Sequence, residues 1–173
     1  DLRQQLKGAK NLSAIAKEGF LIELSREVRA DQYGIRTMID QGGIEVKFEI
    51  VFEGRVQLQT PSDTDKICGV YSLTELDMAT SKLLANSDRW ADDAVFDRDL
   101  IDLAMLDLPL KDLRQAMQKA TEAYGDSVKR DLQKAVDKLK ERPGRLTTCM
   151  AALKMDSVPE AVLWQKIRDL KKV

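Results

Sequence analysis

The sequence predicts an α+β fold: a small mixed or antiparallel β-sheet half followed by a C-terminal helical bundle. Three observations carry this. From Gly19 to Leu58 the apolar residues recur with period two. After Val70 they recur at helical spacing, with start and stop signals between the runs. Strand-like segments come first and helical ones after, without the alternation that a parallel α/β sheet requires. The expected division is residues 1–70 as an α/β region and 71–173 as a helical domain.

Taken in order, residues 2–18 (LRQQLKGAKNLSAIAKE) predict a helix, weakened at Gly8 and stopped by Gly19. Phe20–Leu24 and Ile35–Ile39 read as strands, with Gln41-Gly42-Gly43 as a turn. Ile44–Phe52 is the clearest strand. Ile44, Val46, Phe48, Ile50 and Phe52 share one face, and Glu45, Lys47 and Glu49 share the other. Val56-Gln57-Leu58 is extended, and Pro61–Asp65 is a loop. Ser72 with Glu75 suggests a capping box for a helix to about Asn86. Further helices are expected over Ala94–Met105, Leu110–Tyr124 (closed by Gly125), Asp126 to about Arg142, Leu146–Leu153 and Pro159–Leu170. Pro143-Gly144 is a break.

Composition narrows the function classes. Of 173 residues, 43% are hydrophobic, enough for a core, and 33% are charged with a net charge of only -1. That balance disfavours disorder and a polybasic nucleic-acid tail. Histidine is absent, which removes Ser-His-Asp and Cys-His catalysis and His-ligated zinc. Cys68 and Cys149 have no metal-ligand spacing and read as free thiols of a reducing compartment. No long apolar run and no signal-peptide pattern occur, so the expectation is a soluble, cytoplasmic protein without a membrane partner. The chain begins at Asp1 rather than Met, which suggests that residues precede it.

Four groups of residues bear on chemistry. Glu45, Lys47 and Glu49 alternate along one strand face, and Glu49 near its centre suits a hard-cation ligand; a solvated sheet face accounts for the same pattern. Lys82 lies among Met78, Ala79, Leu83 and Leu84, placed either to reach a phosphate or to snorkel from an apolar stripe. Asp99 and Asp102 are three residues apart and so share a helix face; Asp99 can pair with Lys82 or Arg89 and lock two helices together. The helices from Lys111 to Arg142 read as amphipathic, with a charged outer face. Gly34…Gly42-Gly43 lacks the Lys-Ser/Thr of a phosphate loop.

In these residues the chain resembles the nucleotidyltransferases of the AbiEii/AbiGii toxin type, of the polymerase-β-like superfamily. The resemblance lies in Ser72-Leu73-Thr74-Glu75-Leu76, Lys82-Leu83-Leu84-Ala85, Arg89 and Arg98-Asp99-Leu100-Ile101-Asp102-Leu103, preceded by a strand with Lys47-Phe48-Glu49. It spans roughly Gly19 to Leu106. It implies a nucleotidyltransferase-type sheet and transfer of a nucleotide from NTP to an acceptor with magnesium. It also implies a toxin or phage-defence setting, with tRNA the acceptor in some members and an antitoxin as partner. By position, Lys82 would bind NTP phosphate together with Lys47 and Arg89, Asp99 would serve in or beside the active site, Asp102 would support it, and Glu49 would be a metal ligand. The family's Gly-Gly or Gly-Ser turn followed by Asp-x-Asp on a strand is not in this chain. Asp63-Thr64-Asp65 has the letters but sits in a loop. The expectation is therefore a C-terminal portion or a degenerate member, inactive as these residues stand, and enzymatic if the Asp-x-Asp segment exists in the full protein.

A different class remains open: a non-catalytic helical module for protein or RNA. The RNA version needs Lys129, Arg130, Lys134, Lys138, Lys140, Arg142 and Arg145 on one face, a patch diluted by Asp131, Asp137 and Glu141.

Overall fold

The computed structural model describes residues 2–173 and divides the chain into two compact units, Asp1–Gly54 and Arg55–Val173. The fold class is α+β, with an antiparallel sheet first and helices after it.

In the first unit, α1 (Leu2–Leu6) precedes a meander of β1 (Glu23–Asp31), β2 (Gly34–Gln41) and β3 (Ile44–Val51), in sheet order β1-β2-β3. Both hairpins turn on two residues. Gly42 and Gly43 have φ of 62° and 86°, the left-handed pair that a tight hairpin needs, and Asp40 Oδ1 accepts from Gly43 N at 2.7 Å. Asp31 Oδ1 accepts from Tyr33 N at 2.8 Å and Gly34 N at 3.1 Å at the other turn. Leu6, Leu12, Val28 and Ile35 form a small core, with Phe48 and Ile50 against it.

Two expectations fail here. The helix of residues 2–18 shrinks to Leu2–Leu6, because Gly8 takes φ 70° and the chain then turns to bury Leu12 in the sheet's core. The first strand covers Glu23–Asp31 rather than Phe20–Leu24, and Phe20 and Leu21 are exposed. Register shifts between Leu24 and Arg26 and between Arg26 and Arg29 break the period-two pattern that a regular strand shows.

The second unit opens with the short hairpin β4 (Lys66–Ile67) and β5 (Val70–Tyr71), which the sequence reading did not include. The helices follow: α2 (Glu75–Arg89), α3 (Arg98–Met105), α4 (Leu110–Tyr124), α5 (Ser127–Glu141), α6 (Arg145–Ala152) and α7 (Glu160–Asp169). One continuous core runs through them, including Leu83, Leu100, Leu103, Ala116, Leu132, Val136, Leu163 and Ile167. Burial of these side chains is the main stabilising term.

The α2 cap is Thr74, not Ser72: its Oγ1 accepts from Asp77 N at 3.2 Å. The helix expected over Ala94–Met105 is interrupted. A 3-10 turn at Asp93–Val95 gives way to Phe96 and Asp97 at φ 53° and 50°, and α3 starts only at Arg98. Among the described residues no helix is long and apolar enough to cross a membrane.

Candidate functional site

Lys82 and Arg89 stand seven residues apart on α2, two turns along one side. Asp99 and Asp102 share a side of α3, which packs on α2. The structure brings these four together. Lys82 Nζ donates to Asp102 Oδ2 at 2.5 Å and lies 3.7 Å from Asp99 Oδ1. Arg89 Nε and Nη2 both donate to Asp99 Oδ2, at 3.0 and 2.6 Å. The Asp99 side chain is 4% exposed and that of Asp102 38%. A buried carboxylate is costly unless paired, and Asp99 has a cation on each side.

The two carboxylates therefore do different work. Asp99 is the buried post that fixes Arg89 and draws Lys82 toward α3. Asp102 is the surface partner that holds the ammonium in place. An ammonium carries three N–H donors, and the 3.7 Å approach of Asp99 is too long for a hydrogen bond. Lys82, with its side chain 30% exposed, keeps donors for an external anion. The four charges balance, so the site offers a positioned point donor rather than a broad positive field.

Glu49 and Lys47 belong to the sheet unit. Glu49 forms ion pairs with Arg36, whose Nε lies 3.3 Å away across the strands, and with Lys47, whose Nζ lies 3.0 Å away on its own strand. Among the described residues no group of three or more Cys, Asp or Glu side chains is arranged to hold a metal ion. Asp63 and Asp65 are also engaged locally. Asp63 accepts from Lys66 and from the Tyr71 hydroxyl, which lower its pKa, and Asp65 accepts from Ser62.

Two further charged groups escaped the sequence reading. Asp77 is fully buried in α2. One of its oxygens takes Lys119 of α4, and the other takes Gln59 N at 2.6 Å. Its signal was the spacing Asp77, Thr80, Leu84, which puts an acid on the inward stripe. Asp97, at the left-handed entry to α3, is 5% exposed and binds Lys138 Nζ at 2.8 Å and Arg145 Nε at 2.9 Å. Nothing local in the sequence pairs these three residues. Cys149 lies 3.5 Å from Asp97 Oδ2, and burial, then the neighbouring carboxylate, push its thiol up to about 11. A thiol so protonated is no nucleophile at neutral pH. Both cysteines are free, Cys68 exposed and Cys149 buried.

A family model described as nucleotidyl transferase AbiEii toxin, type IV TA system, matches residues 2–169. No curated protein and no solved structure matches.

Proposed function

We propose, because this chain belongs to the nucleotidyl transferase AbiEii toxin family of type IV toxin–antitoxin systems, that Lys82 holds a phosphate of the NTP whose nucleotide is transferred. Asp99 serves as its positioning residue. The single observation supporting this is the Lys82 ammonium, held at the surface by Asp102 and backed by buried Asp99. A lysine that only snorkels from an apolar stripe needs no such bracing.

In this reading Lys82 donates to a non-bridging phosphate oxygen and stabilises the charge that builds there during transfer. Asp102 shares the ammonium with the incoming phosphate. Asp99, with Arg89 on one oxygen and Lys82 near the other, offsets the repulsion between these two cations and keeps both on the α2–α3 face. Arg89, with its side chain 39% exposed, is a second candidate for phosphate contact.

The family implies an NTP and typically a divalent metal. Glu49, already paired with Arg36 and Lys47, supplies at most one ligand to such an ion, and no step is routed through it. A tRNA is proposed as acceptor, and an antitoxin as partner, on the family resemblance alone.

Calorimetric titration of the chain with NTP tests the core of this. Losing a charge-assisted hydrogen bond to phosphate costs about 1.5–3 kcal/mol, or roughly tenfold to a hundredfold in affinity. Lys82→Ala should show that loss, and Lys82→Arg should recover part of it. Equal NTP affinity in wild type and Lys82→Ala would overturn the assignment.

A further inference from the structure

We infer that two copies of this chain pair through the outer edge of β3, antiparallel about a two-fold axis at Phe48, and so join their sheets into one. The inference is independent of the reading of Lys82.

The edge makes the case first. In the sheet order β1-β2-β3, the described residues place no strand beyond β3. An open edge is a template for another strand, and proteins usually blunt it with bulges or charges. Strand β1, at the opposite edge, carries register shifts between Leu24 and Arg26 and between Arg26 and Arg29. Strand β3 has none, and Ile44–Val51 keep one unbroken register against β2. Phe52 N donates to Tyr33 O at 3.1 Å, which fixes the alternation along the strand. Even-numbered residues turn their N–H and C=O groups toward β2. Glu45, Lys47, Glu49 and Val51 turn theirs to the open edge.

One face of the same strand is apolar and only partly covered. Ile44, Val46 and Phe52 are 67%, 46% and 73% exposed, and they share a side with half-buried Phe48 and Ile50. The sheet's buried core residues, Val28 and Ile35, belong to β1 and β2. The stripe on β3 continues that core to the edge.

Register then selects the occupant. Setting Phe48 opposite Phe48 of a second copy places Val46 opposite Ile50 and Ile44 opposite Phe52. On the other face, Lys47 of each copy meets Glu49 of the other, giving two opposite-charge pairs. The same register joins outward-turned groups throughout, Lys47 with Glu49 and Glu45 with Val51. A shift of two residues one way sets Lys47 on Lys47 and Glu45 on Glu49. A shift of two the other way sets Glu49 on Glu49. A shift of four puts Glu45 on Lys47, but it carries Ile50 to the Gly42 turn and drops Phe52 from the pairing. Edge charges normally keep other strands away. Here their order along the strand fits a second copy running the opposite way. Such a contact uses the same patch on both partners and closes at two.

Sedimentation velocity of the full chain over a concentration series tests this. Wild type should form a reversible dimer of twice the 19.5 kDa chain mass. Lys47→Glu and Glu49→Lys each set like charges opposite one another and should weaken the dimer at least about tenfold. In an equimolar mixture, the acidic strand of one variant faces the basic strand of the other, and the dimer should return. Amide exchange of wild type needs no substitution. The amides of Glu45, Lys47, Glu49 and Val51 should slow as concentration rises, with a smaller change at Val46, Phe48 and Ile50, which already face β2. A wild-type chain that stays monomeric throughout the series overturns the proposal. So does a dimer that neither variant weakens, or a mixture of folded variants that stays monomeric. Should either variant misfold, the wild-type exchange decides, and unchanged rates at the outward amides overturn the pairing.

Discussion

Replacing Asp99 by alanine should destabilise the helical unit by about 2–3 kcal/mol, whereas Asp102→Ala should cost no more than about 1 kcal/mol. The difference follows from burial. Asp99, 4% exposed, accepts two charge-assisted bonds from Arg89, and Lys82 stands 3.7 Å away. Stranding a fully buried cation costs about 3–5 kcal/mol. Arg89 and Lys82 are 39% and 30% exposed, however, so both can turn partly to water and the cost falls below that range. Asp102, 38% exposed, loses one screened surface contact.

The chain's two tryptophans, Trp90 and Trp164, both lie in the unit Arg55–Val173, so their fluorescence during urea unfolding reports that unit. The variants should shift the midpoint at constant m-value. An Asp99→Ala protein within about 0.5 kcal/mol of wild type would refute the idea that Asp99 is a buried post. So would an Asp102→Ala protein equally destabilised.

Other outcomes follow from single geometric facts. Gly34 has φ 148°, and a Cβ there would meet Ile50 O at 2.1 Å, so Gly34→Ala must push β2 from β3. It should cost the sheet at least about 2 kcal/mol, read as faster amide exchange in β2 and β3, and unchanged exchange would contradict it. Native protein at pH 8 should expose one thiol to a disulfide reagent, Cys68, with Cys149 reacting only on unfolding. Burial, then Asp97, raises the Cys149 pKa from 9.0 to about 11, so the folded state holds this proton more tightly than the unfolded chain. The resulting stability is whole below pH 9.0 and is lost as pH rises toward about 11. Cys149→Ala should flatten that alkaline decline in urea midpoint; an equally steep decline would show that other groups cause it. Asp93 behaves oppositely. Hydrogen bonds from Arg142, then Lys138, lower its pKa below 3.8, so its contribution is lost as pH falls through that region, and Asp93→Asn should reduce the acid sensitivity. Unchanged acid sensitivity in that variant would count against the assignment.

What the sequence revealed depended on whether the signal was local. Leu110–Tyr124 is legible in the sequence because its apolar residues keep helical spacing and Gly125 closes it, and the Gly42-Gly43 turn because such a pair adopts two left-handed φ values cheaply. Strand β1 was misplaced because its bulges interrupt the alternation that marks a strand. The break at Phe96 and Asp97 is invisible because it needs two successive left-handed residues and no Gly or Asn marks it; Asp tolerates that conformation, but Phe rarely takes it. Within the site, helical spacing put Lys82 and Arg89 on one side of α2 and Asp99 and Asp102 on one side of α3, and it left open which cation Asp99 would take. The structure gives it Arg89, with Lys82 close by. Partners farther apart were beyond such reasoning. Asp77 and Lys119 are 42 residues apart, and with 28 cations for 29 carboxylates, composition cannot match one acid to one base.

These long-range pairs have a consequence for the site. Asp97 holds the strained entry to α3 against Lys138 of α5 and Arg145 of α6, and Asp99 follows two residues later. The register of α3 against α2 decides whether Asp99 meets Arg89 and whether Asp102 meets Lys82. That register is fixed at one end by charges on α5 and α6 and along its length by the Leu100, Ile101 and Leu103 core. The placement of the Lys82 ammonium is thus a property of the whole helical unit. Short motifs that name Lys82 and Asp99 can mark the site, but only residues beyond them, absent from the motif, set its geometry.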